Sequence, residues 1–173
     1  SGFTLKHSKI ENVGRAVHDD WSGSKDLYIA DHIFLGRHTP YHVMGWNGTW
    51  RNYPDYPEVL GGQRGSEYAV KVYGQGHVVA YNYIKDWHDG IDVATYGDID
   101  GAPDARNEDR VPADIDFYGN DLNNFGDNCI EGDGGSRNIR IFDNRCFNSV
   151  GGALSVQPMQ GGPAYFFRNI VYN

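Results

Sequence analysis

The chain has 173 residues, with 15 Lys and Arg against 23 Asp and Glu and a formal net charge of −8. Its length is that of one domain with a sizeable core. The acidic balance argues against binding to nucleic acid or to an anionic membrane surface. The 23 Gly and 7 Pro residues disfavour long helices, and no apolar run approaches the roughly 18 residues of a membrane-spanning helix.

One template recurs along the chain: a polar anchor with apolar residues five and three positions before it and two positions after it. For the anchor Asn144, these positions hold Ile139, Ile141 and Cys146. The alternation before the anchor is typical of a strand, and the anchor itself indicates a bend. The anchors that share the template are Ser8, His32, Asn82, Asn120, Asn144 and Asn169. The one departure is His77, five residues before Asn82.

A further short strand is predicted before each of these pairs except the first. The segments are 16–18, 70–72, 91–93, 130–132 and 154–156. Three short strands with turns between them form one coil of a parallel β-helix, and coils stack because none can bury its inner face alone. The sequence therefore predicts an all-β solenoid, a single domain over residues 1–173 with about six coils. Two inserted loops are expected at 37–65 and 96–113.

Two stretches are similar to motifs of the polygalacturonases, namely DGIDV at 89–93 and GDNCI at 126–130. That family carries an Asn-Thr-Asp-Gly segment, an Asp-Asp-Cys segment on the next coil and Gly-His-Gly one coil later. Here Asn128 replaces the second Asp, and the third stretch, 150–153, contains no His. The chain resembles, over nearly its whole length, the right-handed parallel β-helix superfamily of pectate lyases and polygalacturonases, and is most similar to a bacterial branch of it. In this resemblance, Asp89 and Asp127 match the acidic motif positions.

Stacking the first strands in register would place matching residues about 4.8 Å apart in columns. A column of small residues contains Ala16, Ala69, Gly90, Cys129 and Ala153. The next column contains His18, Lys71, Asp92, Glu131 and Ser155, and a third contains Asp20, Tyr73, Ala94, Asp133 and Gln157. We expect these outward-facing columns to form a shallow polar groove, the kind of surface on which this superfamily binds extended polysaccharides.

Asp92 and Glu131 are predicted to be the central catalytic pair, because two carboxylates on neighbouring coils repel and one pKa rises. Such a pair supplies an acid and a base for glycoside hydrolysis, with a separation of about 5–5.5 Å in retaining enzymes and about 6.5–9.5 Å in inverting ones. The alternative is a lyase, in which Lys71 abstracts a proton and Asp92, Glu131 and Asp133 hold calcium. Calcium is the only candidate cofactor. In a third interpretation, Lys71 and Asp92 form a plain surface ion pair, which contributes about 0–1 kcal/mol to stability.

Further residues are assigned to the same site. Asp89 and Asp127 lie at bends before their strands, where they either take part in catalysis or cap the turn. The predicted substrate-binding residues are His18, Tyr73, His88, Asp133, Trp46 and Trp50. The two Trp residues belong to the first loop, whose aromatic rings either stack on sugars or pack the loop onto the helix.

Two structural predictions concern side chains inside the coils. The Asn anchors are expected to form a ladder of stacked amides with no chemical role. Cys129 falls in the outward small column and Cys146 in an inward position, so we expect no disulfide between them.

Two functions are carried forward. The first is a secreted, periplasmic or cell-surface protein that binds or cleaves an acidic polysaccharide. The second is a non-catalytic β-helix, namely an adhesin, a scaffold or an accessory subunit. Because neither end has a cap in the sequence, we also expect the chain to be part of a longer helix or to stack on other protein chains.

Overall fold

The computed structural model describes residues 2–19, 21, 23–37, 65–93, 111–157 and 159–173. Most of the two predicted loops therefore lies outside the described residues, and so do Trp46, Trp50, Asp20 and Ala94. The described residues form 17 strands and no helix. Among them, there is accordingly no helix with the length and apolarity needed to cross a membrane.

The strands form three parallel sheets of six, six and five strands, and neighbouring strands in each sheet come from successive coils. The first sheet contains β1 (Phe3–Lys6), β4 (Leu27–Ala30), β7 (Val78–Ala80), β10 (Ala113–Tyr118), β13 (Arg137–Phe142) and β16 (Ala164–Phe167). The second contains β2 (Lys9–Glu11), β5 (Ile33–Leu35), β8 (Tyr83–Trp87), β11 (Asp121–Phe125), β14 (Arg145–Ser149) and β17 (Ile170–Tyr172). The third contains β3 (Arg15–His18), β6 (Tyr68–Lys71), β9 (Asp89–Asp92), β12 (Ile130–Glu131) and β15 (Leu154–Ser155). This is the predicted all-β parallel β-helix.

The hydrophobic core lies where the template places its apolar residues. In the first sheet, Val79, Phe117 and Ile141 are register partners on three coils, and all are fully buried. In the second sheet, a column of Phe34, Ile84, Leu122 and Cys146 fills the same interior. His77, the departure from the template, is also fully buried. Its Nδ1 accepts a hydrogen bond from Leu27 N at 3.1 Å, which satisfies a polar atom inside the wall.

The predicted asparagine ladder is confirmed. Asn82 Nδ2 donates to Asn120 Oδ1 at 3.0 Å, Asn120 Nδ2 to Asn144 Oδ1 at 3.0 Å, and Asn144 Nδ2 to Asn169 Oδ1 at 3.1 Å. His32, which occupies the equivalent anchor, joins the ladder through its backbone N, 3.0 Å from Asn82 Oδ1. These contacts tie each bend to the next coil, so the amides have a structural role.

The expectation about the two cysteines is wrong, since Cys129 and Cys146 form a disulfide with Cα atoms 6.1 Å apart. Cys129 lies at the corner before β12, where its N–H and that of Ile130 both donate to Ala153 O. The side chains of Cys129 and Ile130 are both fully buried. Alternation between faces holds within a strand and not at a corner, so counting positions from β12 assigned Cys129 to the wrong side.

A buried carboxyl cluster on the third sheet as candidate functional site

The predicted column of ionisable residues is confirmed by the register of the third sheet. His18 pairs with Lys71, Lys71 with Asp92, Asp92 with Glu131, and Glu131 with Ser155. Parallel strands in one sheet lie about 4.8 Å apart. Asp92 and Glu131 are therefore adjacent rungs of one column, with Lys71 on the other side of Asp92.

The column is not the shallow surface groove that the sequence predicts. Asp92 is 4% exposed and Glu131 is 5% exposed, although Ile91 and Ile130 beside them fill the core. Alternation along a strand indicates which face a side chain takes, but it does not indicate what covers that face. Part of the acidic column is therefore a buried cluster.

The column of small residues faces the interior rather than the surface. A Cβ atom at Gly90 would lie 2.3 Å from Cys129 O and 2.9 Å from both Leu122 Cδ2 and Phe125 Cε1, which are core atoms. Ala69 and Cys129 are fully buried members of the same column. The small residues allow neighbouring corners to approach closely, and the prediction of a small-residue stripe lining a groove is wrong.

Lys71 and Asp92 form a buried ion pair. Lys71 Nζ lies 3.0 Å from Asp92 Oδ2, with side-chain exposures of 17% and 5%, so the interpretation as a surface ion pair is excluded. Burial acts to lower the pKa of Lys71, but the charge of Asp92 and the contacts with Asp92 and Tyr73 outweigh it and leave the pKa raised. A raised pKa keeps the amine protonated, which is unfavourable for a base that abstracts a proton.

Glu131 carries the raised carboxyl pKa that the paired carboxylates predict. Burial is the largest cause, followed by the charge of Asp92, and together they raise the pKa of Glu131 to about 8. A hydrogen bond from Asn128 Nδ2 to Glu131 Oε1, 2.6 Å long, acts in the opposite direction. Glu131 is therefore a neutral acid at neutral pH, beside a carboxylate that Lys71 neutralises.

His88 lies directly before β9, Asp89 is the first residue of β9, and Asp127 lies at the corner before β12. All three are buried. Asp127 N donates to His88 O at 2.8 Å, and Asn128 N donates to Asp89 Oδ1 at 3.1 Å. The second contact joins Asp89 to the corner of the next coil, so the side chain links two coils. Burial, with the charges of Glu131 and Asp92, also raises the pKa of Asp89 well above its ordinary value.

The remaining predicted residues are less closely connected with the pair. Asp133 is fully buried and accepts hydrogen bonds from Ser155 Oγ at 2.5 Å and Gln157 N at 2.6 Å, so its carboxylate holds a turn to the next coil. Tyr73 is 8% exposed, and Lys71 Nζ lies 5.4 Å from its ring centroid. His18 is exposed and two rungs from Asp92, and its Nδ1 lies 2.5 Å from Tyr68 Oη.

Asn128 is the member of the site whose role the sequence did not show. It contacts Glu131 through its side chain and Asp89 through its backbone N, and its Oδ1 accepts a hydrogen bond from Gly152 N at 2.9 Å. In the sequence, Asn128 stands out only as a departure from the polygalacturonase motif. The one feature of the sequence that could have indicated its contact with Glu131 is its position at a corner, three residues before Glu131.

The stability of the protein is expected to fall as pH rises from about 4.5 to about 8. Glu131 has an ordinary pKa of 4.5, and in the folded protein it titrates at about 8 while facing Asp92, Asp127 and Asp133. In this window the folded state binds a proton that the unfolded state has lost, so increasing pH favours unfolding. Urea unfolding at several pH values measures the slope. In Glu131→Gln the slope should be shallower, and an unchanged slope would show that Glu131 is not the group responsible.

Fold and site together define an all-β parallel β-helix with a buried carboxyl cluster on its third sheet. Comparisons of the chain with the known protein families, with curated proteins and with solved structures found no match.

Proposed function

We propose that the protein is a carbohydrate-active β-helix protein that cleaves an acidic polysaccharide, with Glu131 as the acid and Asp92 as the carboxylate of the reaction. The observation that carries this proposal is the contrast between two register partners. Glu131 retains its proton up to a pH of about 8, whereas the Lys71 ammonium 3.0 Å from Asp92 favours a charged carboxylate there. Two carboxyl groups with different protonation are what acid-assisted glycoside hydrolysis requires.

The reaction would follow the two-step course of retaining glycosidases. Glu131 donates its proton to the glycosidic oxygen while Asp92 attacks the anomeric carbon, which breaks the bond to the leaving sugar. Water then releases the sugar from Asp92 after giving a proton to Glu131. Asp92 and Glu131 are register partners on strands about 4.8 Å apart, and a retaining reaction requires carboxyl groups about 5–5.5 Å apart.

Hydrolysis is favoured over a lyase reaction by the state of Lys71. A lyase base must accept the proton from the sugar ring, but the pKa of Lys71 is raised and its ammonium is engaged by Asp92. Lys71 is therefore better suited to holding Asp92 charged than to starting an elimination.

The substrate class and the location rest on further features. The resemblance of DGIDV and GDNCI to polygalacturonase motifs supports a place in the pectate lyase and polygalacturonase superfamily and a substrate that contains uronic acids. The Cys129–Cys146 disulfide supports an oxidising compartment, such as the periplasm, the cell surface or the medium.

The test is product release by the intact protein from a panel of uronic-acid and neutral polysaccharides. Reducing ends and the absorbance of unsaturated uronates would be followed together, with calcium and with chelator. We expect reducing ends without unsaturation, from uronate polymers, and independent of chelator. Unsaturated products would instead indicate a lyase, and products from neutral polymers alone would correct the substrate class.

A non-catalytic scaffold, adhesin or accessory subunit is the second candidate. It is favoured by the burial of Asp92 and Glu131, which leaves a polymer little access to the pair. It is also favoured by exposed apolar side chains on β16 and β17, among them Phe166, Ile170 and Val171, which offer a surface for contact with other protein chains. Absence of product from every polymer in the panel would support this candidate.

A further inference from the structure

We infer that His88, Asp89 and Asp127 form a binding site for one divalent transition-metal ion at the corner between two neighbouring coils. The three side chains offer one imidazole nitrogen and two carboxylate oxygens, and these atoms all lie within 4.8 Å of one another. No step of the proposed hydrolysis involves this ion, so the site stands independently of that reaction.

The distances between the ligand atoms are close to those around a single metal ion. His88 Nε2 lies 3.9 Å from Asp89 Oδ2, which is longer than a hydrogen bond. Zinc bonds to nitrogen and oxygen are about 2.0–2.2 Å long, so two ligands on opposite sides of an ion are about 4.2 Å apart and adjacent ligands are closer. The separation of up to 4.8 Å exceeds that span, so the side chains would have to move together by about 1 Å or more for all three atoms to contact one ion.

The backbone fixes the position of each ligand. Asp127 N donates to His88 O at 2.8 Å and Asp89 N donates to Glu67 O at 2.8 Å, so the corners stack as rungs. Asn128 N holds Asp89 Oδ1 at 3.1 Å, which leaves Oδ2 as the oxygen towards His88.

Gly151 makes room for the third ligand. A Cβ atom at position 151 would lie 1.9 Å from Asp127 Oδ1, so the carboxylate occupies space that any other residue would fill. The Asp127 carboxylate can therefore take this position only because residue 151 is glycine.

The ligand types indicate which ions the site would favour. Calcium takes oxygen ligands, whereas imidazole suits zinc, copper, iron and nickel. The site is thus distinct, in residues and in ion, from the calcium site expected at Asp92, Glu131 and Asp133.

The experiment measures metal binding directly, with the intact protein treated with chelator and then dialysed. Zn²⁺ is titrated by calorimetry, and Co²⁺ is titrated by its visible absorption, which reports the ligand geometry. We expect one ion per chain. The nearly isosteric Asp127→Asn and His88→Gln variants should each lose more than the roughly 10–100-fold in affinity that removal of an outer-shell partner costs.

Asp116→Asn is the matched control, because Asp116 is a carboxylate on the first sheet that pairs with Arg140 and lies outside the three ligands. It should bind Zn²⁺ as the wild type does. Circular dichroism of the metal-free variants identifies any that do not fold.

Folded wild-type protein that shows no saturable binding of Zn²⁺ or Co²⁺ would overturn the inference. Wild-type affinity for Zn²⁺ in the folded Asp127→Asn and His88→Gln variants would overturn it as well. Binding of Ca²⁺ alone, lost in Asp133→Asn, would assign the ion to the oxygen site instead. Because binding is read without an activity assay, failure of the hydrolase proposal leaves this result intact.

Discussion

Glu131→Gln is expected to reduce polysaccharide cleavage by about 10²–10⁴-fold, the usual contribution of a general acid. The substitution keeps the size of the side chain but removes the proton that Glu131 retains up to a pH of about 8. It should therefore reduce kcat with little effect on the folded structure. The measurement is the rate of reducing-end release from the uronate polymer that the wild-type protein cleaves best.

The pH profile distinguishes loss of the acid from general damage to the site. In the wild type, the rate should fall above a pH of about 8, where Glu131 loses its proton. Asp116→Asn is the control, because Asp116 lies on the first sheet in an ion pair with Arg140 and is remote from the cluster. It should retain wild-type activity and the same profile. Equal rates in Glu131→Gln and Asp116→Asn would show that Glu131 is not the acid.

Asn120→Leu is expected to produce the largest loss of stability. Asn120 Nδ2 donates to Val79 O and Asn144 Oδ1, and its Oδ1 accepts from the backbone N and the Nδ2 of Asn82. Leucine has a similar volume but leaves two or three buried polar groups without these bonds. At about 1–3 kcal/mol for each such group, the free energy of unfolding should fall by about 3–6 kcal/mol.

Asn123→Leu provides the matched comparison for the ladder variant. Asn123 lies on β11 of the same coil, directly after the buried Leu122, and is only partly buried. A change there should alter the free energy of unfolding by no more than about 0.5 kcal/mol, as is usual away from buried networks. Urea unfolding of the two variants and the wild type measures the difference. Similar losses in both variants would mean that the amide ladder has no special role.

The resemblance and the buried pair support different parts of the functional proposal. The motif stretches point to the substrate class, and the third sheet provides the protonation states. The proposed metal site shares Asp89 and Asp127 with the motif stretches, but it also depends on His88 and on a glycine at 151 in the next coil.

The sequence alone was sufficient for the fold, the strand positions and the register. A repeat with one polar anchor and alternating apolar residues determines which side chains face the interior and where the chain bends. It therefore placed Asn120 above Asn144, and Asp92 beside Glu131, before any contact was known. It also predicted that one carboxyl pKa would rise, because adjacent charges repel whatever their surroundings.

Only the tertiary structure decided what happens at the corners and on the outer face of the third sheet. Alternation ends where a strand ends, so the direction of Cys129 and its bond to Cys146 could not be obtained by counting positions. The contact of Asn128 with Glu131 depends on a corner in the same way. Asp92 is buried between Lys71 and Glu131, which come from other coils, and the period of a strand assigns a face but not what lies against it.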